Sequence, residues 1–305
     1  MVGTRRLARL LDLAEASQAK VVLVGDHRQL PEIDAGGAFA ELARSLGAVV
    51  LRRNRRQVER WERAALASLR DGDPQNAIDA YIAHGRVHVG RDARGVYEQM
   101  VADWWDGRAR GEDVVMLASR RRQVDALNRL ARQRRRDAGE LGEEEAVAGG
   151  RAFAVGDDVL AHYNDYRLGL LNGTRGTVTS IDVRRSRLTI DTGDGRSVEV
   201  PRPYIQAGRL THGYATTVHK GQGDTIDSGL LLIDDQSHRE AAYAGLSRGR
   251  IANSVYVVSD DPEAIEACAP PQLPAEDELA TLRAAVGRSA AQEMATPRPG
   301  RRLRR

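Results

Sequence analysis

Five short runs of uninterrupted apolar residues constrain this chain more than any other feature. They are Val21-Val22-Leu23-Val24, Val49-Val50-Leu51, Val114-Val115-Met116-Leu117, Leu230-Leu231-Leu232-Ile233 and Val255-Tyr256-Val257-Val258. Each is too short for a helix, which is the pattern of a strand buried on both faces. Helical periodicity fills several of the intervals, beginning with Leu7, Leu10, Leu11 and Ala14. Buried strands alternating with helices predict an α/β architecture built on parallel sheet.

Residues 151–203 interrupt this rhythm. Turn signals crowd together at Asn172-Gly173, Arg175-Gly176 and Thr192-Gly193-Asp194-Gly195. Between them Phe153, Val155, Val159, Val178, Ile181, Leu188, Ile190, Val198 and Val200 mostly alternate with polar neighbours. That alternation predicts a small antiparallel barrel inserted among the α/β elements. Its eight arginines are balanced by seven acids, so it is no general polyanion clamp. Beyond Pro262 the chain becomes Pro/Ala-rich, with one helix expected near Glu276 to Val286 and a flexible basic tail at the end.

Composition removes several function classes. Apolar residues make up 41% of the 305, which excludes wholesale disorder and allows a substantial core. No apolar run approaches the roughly 18 residues that span a bilayer, and the N-terminus lacks the apolar core of a signal peptide. A soluble, cytoplasmic protein without a membrane partner is expected. The single cysteine, Cys268, makes neither an internal disulfide nor a cysteine zinc site. Basic residues number 46 against 43 acidic ones, a net charge of only +3, and Lys20 and Lys220 are the sole lysines. A Walker A loop needs glycine and lysine followed by Ser or Thr. Lys20 precedes Val21 and Lys220 precedes Gly221, so this sequence contains no such loop.

Four polar strings carry the chemistry. Gly25-Asp26-His27-Arg28-Gln29-Leu30-Pro31 directly follows the first apolar run, where open α/β sheets bind their ligands. Leu51-Arg52-Arg53-Asn54-Arg55-Arg56-Gln57 crowds guanidiniums that repel one another unless an anion or carboxylates neutralise them. Thr216-Thr217-Val218-His219-Lys220-Gly221-Gln222-Gly223-Asp224 sets a lysine among glycines that let a backbone approach a ligand closely. In Tyr243-Ala244-Gly245-Leu246-Ser247-Arg248-Gly249-Arg250 a helical stretch gives way to glycine. Residues 120–136 add eight arginines and one acid, Asp125, on a helix whose apolar stripe is Val124, Leu127, Leu130 and Ala131. Such a basic face either contacts phosphate or is simply solvated. Trp104-Trp105 reads as packing rather than base stacking.

In this order the four strings resemble motifs III, IV, V and VI of superfamily 1 helicases. The branch resembled is the RecD-like one and, within it, the helicase part of TraA-type (MobF) conjugative relaxases. There an SH3-like subdomain interrupts the second RecA-like domain before motif V, and Asn164-Asp165-Tyr166-Arg167-Leu168-Gly169 through Asn172-Gly173-Thr174-Arg175-Gly176 resembles its signature. The resemblance covers residues 1 to about 262. It implies a C-terminal remnant of a first RecA-like domain at 1–47 and a complete second RecA-like domain at 48–150 and 204–265. An SH3-like insert at 151–203 and a tail at 266–305 make up the rest.

The resemblance also implies ATP and Mg2+ as cofactors of the intact protein, single-stranded DNA as partner, and 5′-to-3′ translocation. By similarity, Gly25 and Asp26 lie at the nucleotide, and Gln29 senses the γ-phosphate or its attacking water. Arg56 matches the motif IV arginine, with Arg55 the near alternative, and Arg248 matches the arginine finger of motif VI. Fixed cations of this kind stabilise the charge spread over a transferring phosphoryl group, by about 10³- to 10⁵-fold in rate in comparable systems. Gln222 and Gly223 would couple the nucleotide to the DNA track. Thr217, His219, Lys220, Asn172 and Arg121 would lie along the strand, whose backbone such channels follow by charge and hydrogen bonds.

Motif I and the Asp-Glu pair of motif II have no counterpart in this sequence, and the resemblance implies that it starts just after the family's motif II. The expectation is a helicase fragment that binds no nucleotide alone and is inactive alone. A missing N-terminal helicase and relaxase half would complete it, and residues 1–47 would leave apolar strand edges uncovered. Two other readings are a non-catalytic DNA-binding remnant and a piece of a RecD-like repair helicase.

Overall fold

The computed structural model describes residues 2–31, 36–51, 54–221, 225–259 and 278–291. Its helices are α1 (Thr4–Ala16), α2 (Ala38–Leu46), α3 (Arg60–Asp71), α4 (Pro74–Ala83), α5 (Ala93–Ala109), α6 (Arg121–Asp137), α7 (Arg202–Gln206), α8 (Arg239–Leu246) and α9 (Ala280–Gly287). The strands are β1 (Val87–Gly90), β2 (Val114–Ala118), β3 (Glu145–Ala148), β4 (Arg151–Ala154), β5 (Asp158–Ala161), β6 (Arg175–Asp182), β7 (Arg187–Asp191), β8 (Ser197–Val200), β9 (Leu210–His212), β10 (Ala215–Thr217), β11 (Ile226–Ile233) and β12 (Gly249–Val258). Among these residues no helix is long and apolar enough to cross a membrane.

Three of the five apolar runs become β2, β11 and β12, the centre of a sheet ordered β1-β12-β11-β2-β10 in which every neighbouring pair is parallel. Successive side chains along a strand point to opposite faces, and here both faces are covered. Val115, Leu117, Leu231, Ile233, Val255 and Val257 pack with residues of α3, α4, α8 and α9. Val114, Met116, Leu230, Leu232 and Tyr256 pack with residues of α5 and α6. The α/β core is therefore the parallel sheet that the pattern predicts. Its two edge strands, β1 and β10, are short and were not among the apolar runs. Helix boundaries follow local chemistry: Asp73 caps α4 ahead of Pro74, Asp92 caps α5 through Gly95 N–H, and α3 stops at Gly72, whose φ is +97°.

The first two runs form no strand. Val22 is 71% and Val24 92% exposed, and Val49 and Leu51 are 95% and 91% exposed. A strand needs a neighbour for its N–H and C=O groups, and none of the described residues pairs with either stretch. The expected burial of Val21–Val24 is corrected accordingly. Residues 2–31 and 36–47 contribute helices but no sheet.

The second sheet is antiparallel, ordered β8-β7-β6-β5-β9, with the β3–β4 hairpin beside it. Phe153, Val159, Val178, Leu188, Ile190, Val198 and Val200 make its core. The strands run over 145–212, wider at both ends than 151–203, because β3 pairs with β4 and β9 closes against β5.

A buried charge network joins this unit to α6. The Asp157 carboxylate, fully buried, accepts from Arg132 Nε at 3.0 Å, Ala154 N at 2.6 Å and the Tyr214 hydroxyl at 2.5 Å. Arg135 reaches Glu140 at 2.9 Å, Gly156 O at 2.7 Å and Asp158 at 3.3 Å.

Candidate nucleotide cleft and strand-binding face

Residues 25–31 form a turn organised by Asp26. Its Oδ1 accepts Arg28 N–H at 3.0 Å, and its Oδ2 accepts Gln29 Nε2 at 3.2 Å and the Tyr243 hydroxyl at 3.3 Å. Burial first, and then the Asp26 charge, push the Tyr243 phenol up to about 12, so it remains a donor to that carboxylate. Gly25 lies against Phe39; a Cβ there would stand 3.3 Å from the ring. Arg28 Nη1 anchors the turn to Arg70 O of α3 at 2.6 Å.

The second string docks onto the residues that follow α8. Asn54 Oδ1 accepts Arg56 N–H at 3.0 Å, and Arg56 Nη1 donates to Ser247 O at 2.7 Å. Gln57 is buried and donates from Nε2 to Ser247 O at 3.2 Å and Gly249 O at 2.9 Å. Arg248 is only 3% exposed: its Nε donates to Ala244 O and its Nη2 to Ser247 Oγ, both at 2.8 Å. The last carbonyls of a helix lack intrahelical partners, and a guanidinium is a natural donor to them.

Below this turn sits a polar cluster that the sequence did not single out. A Cβ on Gly249 would fall 2.1 Å from Ala252 O and 2.6 Å from Asn253 Oδ1, so no other residue fits without movement. Asn253 Oδ1 accepts Gly249 N–H at 2.8 Å, while its Nδ2 donates to Gly249 O at 3.0 Å and Glu62 Oε1 at 2.9 Å. The Tyr81 hydroxyl donates to the same Glu62 oxygen at 3.1 Å. Burial raises the Glu62 carboxyl above its ordinary value against these hydrogen bonds. The strings at 25–31, 54–57 and 243–250 thus meet on α8 and the turn after it. The Arg56 and Arg248 guanidiniums donate to main-chain and hydroxyl oxygens of residues 244–247, while the Gln29 amide donates to Asp26. No group of three or more His, Cys, Asp or Glu that could hold a metal occurs among the described residues.

The third string gathers a different set. Lys220 N–H donates to Thr217 O at 2.9 Å and Thr217 Oγ1 at 3.3 Å, closing the turn after β10. Lys220 Nζ donates to Asn172 Oδ1 at 2.8 Å, and Asn172 N–H is held by Asn164 Oδ1 at 2.7 Å. Burial, and then the Arg121 charge, lower the Lys220 pKa. Burial, and then His238, lower that of His219. Lys220, Thr217 and Asn172 are therefore brought to one junction between the two sheets, and Arg121 acts on Lys220 through its charge. His162 stands at the same junction, pushed down to about 4 by burial and then by Lys220, Arg151 and Arg121. His162 and Arg151 stand out in the sequence by residue type alone. Gln222 and Gly223 lie outside the described residues, as do Arg52, Arg53, Cys268 and the arginine tail.

The arginines of α6 divide. Arg132 and Arg135 belong to the buried network, Arg136 pairs with Glu145, Arg120 with Asp234 and Asp235, and Arg134 lies 5.5 Å over the Trp105 ring. Arg121 and Arg122 stay exposed at its start. Trp104 is buried with its Nε1 on Val114 O at 3.2 Å, a packing residue.

A family model described as an AAA domain matches residues 1–92. The RecD subunit of the RecBCD enzyme of Mycolicibacterium smegmatis is 30% identical over 275 residues, 82% of this chain and 47% of that protein. The chain is homologous to RecD helicases and fits a portion of a RecD-like superfamily 1 helicase. Its homologues also include the conjugal transfer protein TraA: that of Rhizobium radiobacter is 36% identical over 254 residues, 82% of this chain and 23% of the relative. The TraA of Agrobacterium fabrum is 33% identical over 256 residues. The chain spans 23% of the length of these TraA relatives. Among solved structures, Pif1 helicase from Bacteroides with ADP-AlF3 and ssDNA aligns over 71% of this chain and 53% of its own, at 16% identity and a TM-score of 0.44.

Proposed function

We propose that this chain is the motif III to VI part of an ATP-dependent 5′-to-3′ DNA translocase in a cytoplasmic conjugative relaxase. The observation that carries this reading is the meeting of three separate strings on α8, through Asp26–Tyr243, Arg56–Ser247 and Gln57–Gly249. In it the parallel sheet is the second RecA-like domain, the antiparallel unit is the SH3-like insert, and residues 1–47 belong to the first RecA-like domain. Gln29, Arg56 and Arg248 address the γ-phosphate, with Asp26 toward magnesium, and Arg248 exchanges Ala244 O for a phosphate oxygen. Thr217, His219, Lys220, Asn172 and Arg121 follow single-stranded DNA. The P-loop and its lysine come from the N-terminal half, and this chain alone turns over no ATP.

The test compares this chain with a longer protein that includes the P-loop segment. The chain alone should bind single-stranded DNA with an affinity falling with salt, by a log–log slope of about −0.7 per phosphate contacted, and show no ATPase activity. The longer protein should hydrolyse ATP in a DNA-stimulated manner and lose that activity with Arg248→Ala. ATP turnover by the chain alone, or an unchanged rate in the longer Arg248→Ala protein, refutes the proposal.

A further inference from the structure

The loop between β5 and β6 presents tyrosines to solvent on a braced backbone. Tyr163 is 58% and Tyr166 81% exposed, and Leu171 beyond them is 50% exposed. Leu170 is fully buried in the antiparallel core and pins the loop from beneath. Asp165 N–H donates to Leu170 O at 2.7 Å and Leu170 N–H returns a bond to Asp165 O at 3.0 Å, closing the tip as a hairpin. Inside that tip, Asp165 Oδ1 accepts the N–H groups of Arg167 at 3.1 Å and Leu168 at 3.3 Å. Arg196 Nη1 donates to Gly169 O at 3.0 Å, and the Tyr204 hydroxyl of α7 to Tyr163 O at 2.8 Å. The core does not need a ring at 166, since four-fifths of that side chain lies in water.

The chemistry around these rings is basic. The Arg209 guanidinium lies over Tyr163, 4.6 Å from the ring centroid, a cation–π contact. Arg167, next to Tyr166, is exposed. Asp165 is the one acid in the sequence from 162 to 174, and its Oδ1 is occupied by N–H groups of the tip. Hydrogen bonds link the same loop to the turn after β10. Asn164, adjacent to Tyr163, holds Asn172 N–H at 2.7 Å, and Asn172 Oδ1 accepts Lys220 Nζ at 2.8 Å. A tyrosine offers a flat π face at low conformational cost, and every nucleobase has a face to lay on it. Aromatic rings beside backbone-tracking cations hold single-stranded nucleic acid with little regard to sequence.

We propose that the 163–171 loop is a base-stacking platform, on which the Tyr166 ring takes the face of a nucleobase of single-stranded DNA and Tyr163, backed by Arg209, offers a second seat. The inference rests on the reading of Lys220 and Asn172 as strand contacts and adds ring faces to a site otherwise made of charge and hydrogen bonds. It assigns the antiparallel unit a direct part in holding the strand. Because the tip is already closed by its own hydrogen bonds, a base docks there without ordering the loop, which keeps the entropic cost of binding low. The ring carries no charge, so its contribution to affinity is separable from the salt-dependent one of the cations.

Two fluorescent oligomers of equal length, an oligothymidylate and a chain of abasic deoxyribose phosphates, test this. Wild type should bind the oligothymidylate more tightly than the abasic chain. Tyr166→Ala should weaken oligothymidylate binding by about five- to hundredfold, leave the abasic chain nearly unaffected, and keep the salt slope of wild type. Tyr166→Phe, which keeps the ring, should bind like wild type. An unchanged thermal midpoint in Tyr166→Ala shows that the loss is not one of folding. Equal oligothymidylate affinity in Tyr166→Ala and wild type, or equal weakening by Phe and Ala, overturns the inference and leaves the strand-binding reading standing. Binding of neither oligomer by wild type removes both.

Discussion

Tyr243 on α8 donates a hydrogen bond to the Asp26 carboxylate at 3.3 Å, joining residues 217 positions apart in the chain. With Arg28 on Arg70 O, it lays the 25–31 turn against the parallel-sheet core. Tyr243→Phe keeps the ring and removes the donor, at a cost of about 0.5–1.5 kcal/mol for a net hydrogen bond. Amide hydrogen exchange should speed up across residues 26–30 while β2 and β11 keep their protection. Unchanged exchange in the turn counts against the tether.

Gly249→Ala places a methyl group 2.1 Å from Ala252 O. The backbone must move, and the turn carrying Arg248 moves with it. Overpacking of this kind costs about 1–3 kcal/mol, visible as a lower denaturant midpoint with an unchanged m value.

Glu62→Gln isolates a pH effect. Burial raises the folded-state pKa of Glu62 above its unfolded value. The folded state then holds the proton more tightly, so this group's contribution is complete below the unfolded pKa and is lost as pH rises through the folded one. Glutamine has no such titration. The stability difference should shift in favour of Glu62→Gln as pH rises from the ordinary carboxyl range through the raised folded-state pKa, by about 1.4 kcal/mol per unit of pKa separation. Urea denaturation across that range measures it, and a constant difference contradicts it.

Asp157→Ala leaves Arg132, the Tyr214 hydroxyl and Ala154 N–H without their shared acceptor. Removing one partner of a buried pair costs about 3–5 kcal/mol. Asp157→Asn should recover part of the loss by keeping an acceptor, and thermal denaturation ranks the three proteins.

The sequence reading captured β2, β11 and β12 because strands buried on both faces leave a local signature. Val21–Val24 and Val49–Leu51 carry the same signature, yet composition reports what a segment can bury and not whether a neighbour exists to pair with it. β10, Ala215–Thr217, was invisible because two of its three residues are threonines. The four chemical strings were legible for a related reason: each concentrates its unusual residues within a few positions. Asn253 and Glu62 act through partners far away in sequence, and neither stands out alone. The arginines of α6 look alike in sequence; only docking of the antiparallel unit commits Arg132 and Arg135 to Asp157, Asp158 and Glu140.

Val22, Val24, Val49, Val50 and Leu51 have most of their side-chain area in water. Kept in a tube by itself, the polypeptide therefore carries exposed aliphatic stretches whose main chain pairs with no strand among the described residues. Copies that meet there stick, so turbidity should set in with rising concentration and should ease when these aliphatics are replaced by lysine or glutamate.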